Sequence, residues 1–346
     1  MELVKESIKN LKPYIVEEVP FRVKLDANEG KNILLKDGIV VGEDFLVNIY
    51  PDDNANDLRK SIGEYLNVNP ENITVGNGSS ELIEIIIKTF VDKNESILSF
   101  DPSFTMYKVF SQIHSTNFIG IPCEDKYRVH VEEIIKEANR INPKVILLCN
   151  PNNPTGYLMD KSEIIKVIES TNAIVVVDEA YMEFAEGSII DEFEKYPRVI
   201  VLRTLSKAFG LAALRVGYMI ANKEVIDIIN SVKAPYSVSA ISQYIAVKAL
   251  ERKEEVFKYV EEVKLEREFV YEELIKLGFK TYKSSTNFIF FRSHIKDLSK
   301  KLMEDGILIK EFKGDLDRCC RVTIGDKYEN REFLRSLRER VNNENR

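Results

Sequence analysis

The sequence predicts an α/β chain: a large domain with a mostly parallel central sheet flanked by helices, plus a smaller α+β domain. Three observations predict it. From about Ile73 to Ile220, short runs of apolar residues alternate with amphipathic stretches. After Ala234 and Pro235 the texture changes to a long charged helix followed by strands mixed with helices. The 346 residues also exceed one ordinary domain of roughly 100–200 residues.

The apolar runs are Ile73–Val75, Ile97–Phe100, Asn117–Ile121, Val145–Leu148, Ala173–Val177, Val199–Leu202 and Val216–Ile220. Strands covered by helices on both faces lose the in–out alternation and read as such runs. Between them, Ser80–Val91 places Leu82, Ile85, Ile86 and Phe90 on one helical stripe, and Asp160–Ser170 shows the same period. Glu254–Leu277 is the long helix, with Val256, Val260, Val263, Phe269, Val270, Leu274 and Leu277 inward and Gly278 as its stop. A strand at Asn287–Phe291, a helix at Ile295–Met303, strands around Ile307–Phe312 and Cys320–Ile324, and a last helix from Asn330 complete the chain. The first forty residues carry no clear period and are expected to pack across both domains. The expected division is residues 41–245 for the large domain, and 1–40 with 246–346 for the small one.

Composition narrows the function. With 49 Lys+Arg against 56 Asp+Glu the formal charge is 49 − 56 = −7, which argues against a nucleic-acid backbone as main partner. A membrane span needs about 20 apolar residues in a row and the sequence has no such run. Met1–Asn10 alternates charged and apolar residues without a signal-peptide core. Four cysteines (Cys123, Cys149, Cys319 and Cys320) form no disulfide framework in a chain this long, and the adjacent pair is expected on opposite faces of a strand. The expectation is a cytoplasmic protein with free thiols.

Three segments carry candidate chemistry. Val75-Gly-Asn-Gly-Ser-Ser-Glu-Leu82 puts glycines between a strand and a helix, where backbone N–H groups and the helix dipole attract a phosphate. Read alone, it is also a tight turn with a Ser cap, and it lacks the lysine of a P-loop. Cys149-Asn-Pro-Asn-Asn-Pro-Thr-Gly156 specifies an irregular rigid loop after a strand, at the end of an open α/β sheet where ligands bind. The third is Val177-Asp-Glu-Ala-Tyr181 together with Arg203-Thr-Leu-Ser-Lys-Ala-Phe-Gly210 and Arg215. Asp178 ends an apolar strand, so its carboxylate is desolvated unless paired. Lys207 also follows a strand, and buried lysines with tuned pKa values are the usual Schiff-base nucleophiles.

Together these residues match what pyridoxal 5'-phosphate requires. Lys207 is the amine and Asp178 the carboxylate for the pyridine nitrogen. At 3 Å and an effective dielectric near 20 such a carboxylate gains about 5 kcal/mol before desolvation is subtracted. Even half of that moves the ring nitrogen's pKa by roughly two units. Asn153 and Tyr181 supply hydrogen bonds to the ring oxygen, and Phe104 a stacking face. Gly78, Ser79, Ser80, Ser206 and Arg215 form the phosphate cup. The set calls for no metal ion.

The sequence also resembles the fold-type-I pyridoxal-phosphate aminotransferases, and within them the histidinol-phosphate aminotransferase subgroup, over nearly its whole length. The resemblance is carried by Leu25-Asp-Ala-Asn-Glu29, Tyr50-Pro51, Leu58-Arg59, Gly76–Glu81, Pro102–Tyr107, Asn150–Gly156, Asp178–Tyr181, Arg203–Phe209, Leu214-Arg215 and Arg321–Gly325. It implies that Lys207 carries the cofactor, with Asp178 as pyridine partner. It implies that Arg321 grips the substrate's anionic end, that Tyr14 lies near the substrate phosphate, and that Tyr50 reaches the cofactor phosphate of the neighbouring subunit in a homodimer. Nothing local in the sequence ties Tyr50 to its own subunit. A cis Asn153–Pro154 bond is implied as well. Three positions depart from the family pattern. Ser80 stands where an Asp is usual, so it would serve through its backbone amide. Phe104 replaces the commoner Tyr. Lys310 stands at a second substrate-binding Arg, where it keeps the charge and loses the planar fork.

The implied reaction exchanges an amino group between histidinol phosphate and 2-oxoglutarate, giving imidazole acetol phosphate and glutamate, in histidine biosynthesis. Arg321, Lys310, Tyr14 and Asn153 would contact the substrates. The alternatives are a threonine-phosphate decarboxylase-like lyase, an aromatic amino acid aminotransferase of the same family, and a non-catalytic protein that only holds the cofactor or a phosphorylated ligand.

Overall fold

The computed structural model describes residues 4–12, 19–32, 42, 45–123 and 127–344. Among these, seven strands form one sheet and five form another.

The large sheet contains β2 (Ile73–Asn77), β3 (Ser96–Asp101), β4 (Asn117–Pro122), β5 (Val145–Cys149), β6 (Ile174–Asp178), β7 (Val199–Thr204) and β8 (Val216–Ala221), in the order β2-β8-β7-β6-β5-β3-β4. Each predicted apolar run is a strand. β5, β7 and β8 are buried along their whole length, which explains why they show no alternation. Every neighbouring pair is parallel except the two made by β8. Because β8 runs backwards, its first residues lie beside the last residues of both flanking strands: Val216 pairs with Asn77 and Gly217 with Thr204. The C-terminal ends of β2, β5, β6 and β7 and the start of β8 therefore share one edge of the sheet.

Helices α1 (Asn56–Leu66), α2 (Gly78–Phe90), α3 (Met106–Ile113), α4 (Val131–Ile141), α5 (Lys161–Ser170), α6 (Lys223–Val232) and α7 (Ala240–Glu251) accompany this sheet. α2 packs on β8 and α4 on β3 through apolar stripes. The start of α5 is a reciprocal capping box, in which Asp160 and Glu163 each satisfy the other's backbone N–H.

The smaller sheet has the order β1-β11-β12-β10-β9, from β1 (Val23–Leu25), β9 (Lys280–Thr281), β10 (Phe288–Arg292), β11 (Ile307–Glu311) and β12 (Cys319–Thr323). β1 is an element the sequence did not reveal. Three residues are too few to show a period, and the strand exists because it pairs in parallel with β11. Helices α8 (Lys253–Lys276), α9 (Leu298–Glu304) and α10 (Lys327–Glu344) cover this sheet. α8 ends just before Gly278 and buries Val256, Val260, Val263, Val270 and Leu274 as its stripe predicts. Phe269 lies at the edge of that stripe, half-buried beneath the Arg331 guanidinium, 4.1 Å from its ring centre. α10 begins three residues before the expected Asn330, because Asp326 and Glu329 exchange backbone caps at its start. Cys319 and Cys320 do face opposite ways: Cys319 packs with Tyr282 and Phe290, Cys320 with the main core, and both are free thiols. No helix among the described residues is long and apolar enough to cross a membrane.

Candidate active site

Asp178 is the last residue of β6 and is buried. No cation among the described residues pairs with it directly. Its Oδ2 accepts from the Tyr107 hydroxyl at 2.8 Å and its Oδ1 from the Ala180 N–H at 3.2 Å. Burial pushes its carboxyl up to about 6, the two hydrogen bonds opposing the shift only in part.

Lys207 lies just beyond β7, one strand over from Asp178. Its Nζ donates to the Ala27 carbonyl at 3.1 Å and stands 5.7 Å from the centre of the Tyr181 ring. Desolvation pulls the amine down to about 7; the positive charges of Arg321 and Arg215 add to this, while Glu29 opposes it. A neutral amine is the form that adds to an aldehyde.

Tyr181 follows Asp178 by three residues and is held from the segment after β1: its hydroxyl accepts from Asn28 Nδ2 at 2.9 Å. Burial raises its phenol to about 12, so it stays a neutral donor. Its ring meets Phe288 edge-on at 5.2 Å. Asn153 sits in the loop after β5, with its Oδ1 2.5 Å from Arg321 Nη1. The same loop carries the expected cis Asn153–Pro154 bond, along with a second cis bond at Asn150–Pro151. Arg321 lies on β12, nearly buried, with Nη2 donating to the Asp26 carbonyl at 2.8 Å and its guanidinium 5.3 Å from the Phe288 ring centre. Lys310 on β11 pairs directly with Arg321 across the antiparallel ladder. Directly opposed residues point to the same face, so the exposed Lys310 shares a side of the sheet with Arg321.

At the sheet edge, Gly78 opens α2 with φ +78°, and a Cβ there would stand 2.5 Å from Arg215 Nη2. Gly78 thus leaves room for the arginine against the first turn of α2, where Ser79 and Ser80 present backbone N–H groups. Arg215 itself has φ +53°, a left-handed conformation that costs a side-chain-bearing residue roughly 1–2 kcal/mol. Ser206 is buried at the same edge, its N–H and hydroxyl both bonded to Thr204 Oγ1. Phe104, half-buried, meets Tyr107 edge-on at 5.6 Å and 90°.

Two of the expected substrate- and phosphate-site residues are not brought to this edge by the described residues. Tyr50 stacks on Tyr236 of its own chain at 4.6 Å and 16°, while remaining 77% exposed. Tyr14 lies outside the described residues. The sequence reading also missed three contributors. Tyr107 and Asn28 lie inside the quoted motifs, yet only the fold shows that they bond Asp178 and Tyr181. Arg203, on β7 four residues before Lys207, is buried with Glu179 and Glu183 at 2.8 and 2.9 Å. Burial alone would lower its pKa, and the two carboxylates instead raise it. Its signal was the lone arginine on an otherwise apolar strand.

Comparison with known proteins agrees with this architecture. The family model "Aminotransferase class I and II" matches residues 26–337. A curated histidinol-phosphate aminotransferase of Caldanaerobacter subterraneus subsp. tengcongensis is 41% identical over 97% of this chain and 98% of its own. The crystal structure of histidinol-phosphate aminotransferase from Clostridium acetobutylicum superposes with a TM-score of 0.80 at 29% identity, covering 86% of this chain and 92% of that one. The Sinorhizobium meliloti enzyme, solved in complex with pyridoxal-5'-phosphate, has the same fold, with a TM-score of 0.88 at 22% identity over 99% and 98% of the two chains. The chain belongs to the class I and II aminotransferases and, within them, to the histidinol-phosphate aminotransferase family.

Proposed function

We propose that this chain binds pyridoxal 5'-phosphate and exchanges an amino group between histidinol phosphate and 2-oxoglutarate in histidine biosynthesis. The observation that carries the reading is the amine of Lys207, lowered to about 7, on the same sheet edge as the buried carboxyl of Asp178.

The residues fit the cofactor. Asp178 is a buried carboxylate with no ion pair among the described residues, its charge favoured only at a distance by Lys207, and a protonated ring nitrogen would relieve it. Gly78 and the strained Arg215 leave a cradle at a helix start, suited to a phosphate held by Arg215, Ser79, Ser80 and Ser206. Asn153 and Tyr181 would hold the ring oxygen, and Phe104 would stack on the ring. When bound, the cofactor supplies an electrophilic carbon and an electron sink for the charge left at the substrate's Cα.

This chain's side chains do the rest. Lys207 Nζ, with a large neutral share near neutral pH, takes the proton from the substrate's Cα and later returns one. Asp178 keeps its partner nitrogen charged, and Tyr181 keeps its phenol proton for donation. Arg321, fixed in place by Asn153 and the Asp26 carbonyl, binds the phosphate of one substrate and the carboxylate of the other in turn. Lys310 adds a second positive charge on the same side, and Tyr14 would complete the phosphate contacts.

The reading includes a cytoplasmic homodimer in which Tyr50 serves the partner's site. Its support is the exposed apolar run of Leu46, Val47, Ile49 and Tyr50, a cluster that a monomer would leave in water. It also divides the chain into residues 41–245 and 1–40 with 246–346, supported by the two separate sheets.

The test mixes purified protein with pyridoxal phosphate, then glutamate, then candidate oxo acids, while the cofactor's absorption is followed. Borohydride should fix the cofactor to one peptide containing Lys207. Glutamate should change the spectrum, and imidazole acetol phosphate should restore it. Failure to bind pyridoxal phosphate overturns the reading, and release of carbon dioxide without an amino acceptor assigns the chain to the lyases instead.

A further inference from the structure

We propose that Tyr107 is a positioning residue for the reaction, holding Asp178 as an oriented, ionised carboxylate and coupling it mechanically to the Phe104 ring. The inference rests on the assignment of Asp178 to the cofactor's ring nitrogen.

Tyr107 is fully buried in the first turn of α3, and its hydroxyl donates to Asp178 Oδ2 at 2.8 Å. The geometry ties together two loops. Ser103 Oγ donates to Asn152 Oδ1 at 3.0 Å, and Asn152 Nδ2 donates to the Pro102 carbonyl at 2.9 Å. The segment that bears Phe104 and Tyr107 is thereby pinned to the loop that bears Asn153. Phe104 in turn meets the Tyr107 ring edge-on. One phenol thus sets where the carboxylate points and where the stacking ring stands.

The electrostatics give the phenol its direction of action. Asp178 is faced by Tyr107, Cys149, Glu179, Lys207 and Tyr181; Glu179 disfavours its charge, Lys207 favours it, and the Tyr107 hydroxyl is its strongest hydrogen-bonding support. Burial drives the phenol's own pKa well above the ordinary tyrosine range, so it remains a donor at every working pH. A donor that never ionises stabilises the carboxylate form more than the neutral acid. With Oδ2 engaged by Tyr107 and Oδ1 by the Ala180 N–H, the carboxylate plane is fixed before the cofactor arrives, which lowers the cost of binding it.

The test uses Tyr107→Phe, which keeps the ring and removes only the donor. In the apoprotein, the Asp178 carboxyl, followed by carbon-13 NMR with labelled aspartate, should titrate higher in the variant than in the wild-type chain. In the loaded enzyme, pyridoxal phosphate should bind about ten-fold more weakly, about 1.4 kcal/mol. In an Asp178→Ala background the same substitution should change cofactor affinity less than two-fold, because the group it acts through is gone. An unchanged Asp178 titration, or an equal loss in both backgrounds, overturns the proposal. Should Tyr107→Phe fail to fold, fluorotyrosine placed at 107 makes the donor stronger and should lower the Asp178 titration; no movement there overturns it equally. The apoprotein titration needs no cofactor, so it separates this inference from the assignment of Asp178. If Asp178 shifts while Asp178→Ala binds cofactor like wild type, it is that assignment which fails.

Discussion

The amine of Lys207 donates to the backbone carbonyl of Ala27 at 3.1 Å, so the loop after β7 is joined at its reactive atom to the segment after β1. The partner is a neutral dipole, which holds the nitrogen without repaying the charge that burial disfavours.

A pH dependence follows, with a definite sign. Uptake of pyridoxal phosphate by the apoprotein should accelerate as pH rises through about 7, when Lys207 loses its proton. Arg321→Ala removes one of the charges that lower this amine, so the midpoint should move upward. Stopped-flow absorption checks both, and a rate that stays flat from about pH 6 to about pH 8 refutes the tuned amine. Linkage gives a companion result. Between the folded value near 7 and the ordinary lysine value of 10.5 the unfolded chain binds more protons at this site, so apoprotein stability should rise with pH across that window. Lys207→Met should flatten that slope in denaturant titrations.

Arg321→Ala should weaken histidinol phosphate and glutamate together. Losing a charge-assisted bidentate contact costs about 2–3 kcal/mol, or roughly 30–150-fold in affinity. KM values for the two half-reactions report it, and a loss confined to one substrate would show that they do not share this cation. Lys310→Arg restores a planar fork opposite Arg321 and should maintain or tighten binding of the phosphorylated substrate.

Gly78→Ala tests the phosphate cradle. Alanine at φ +78° costs roughly 1–2 kcal/mol of stability, and its methyl pushes the Arg215 guanidinium off the start of α2. Cofactor affinity should fall about ten-fold or more, read by absorption titration. Unchanged affinity would remove Arg215 and this helix start from the phosphate site.

Complementation tests the dimer. Lys207→Ala and Tyr50→Ala, each crippled alone, should recover activity when co-expressed. One site of a mixed two-fold dimer then carries both lesions, and the other carries neither. Mixed dimers that stay as inactive as the separate variants would place Tyr50 in its own site, where its stack on Tyr236 already holds it.

The sequence by itself determined the central sheet and the identity of the reactive groups. Runs such as Val145–Cys149 and Ile174–Asp178 are apolar throughout because helices cover both their faces, and that burial is written into residue type. Asp178 and Lys207 stand out for the same reason: a charge at the end of an apolar strand needs an explanation. Tertiary structure alone decided what those groups touch. β1 exists only as the parallel partner of β11, and with it come Ala27 for Lys207 and Asn28 for Tyr181. Tyr107 reaches Asp178 across 71 positions of sequence, and Arg321 reaches Asn153 across 168. Hydrogen bonds between residues so far apart leave no period or spacing in the chain. They arise when the parallel pairing of β3, β5 and β6 brings their C-terminal ends to one edge, and when the smaller sheet closes over that edge.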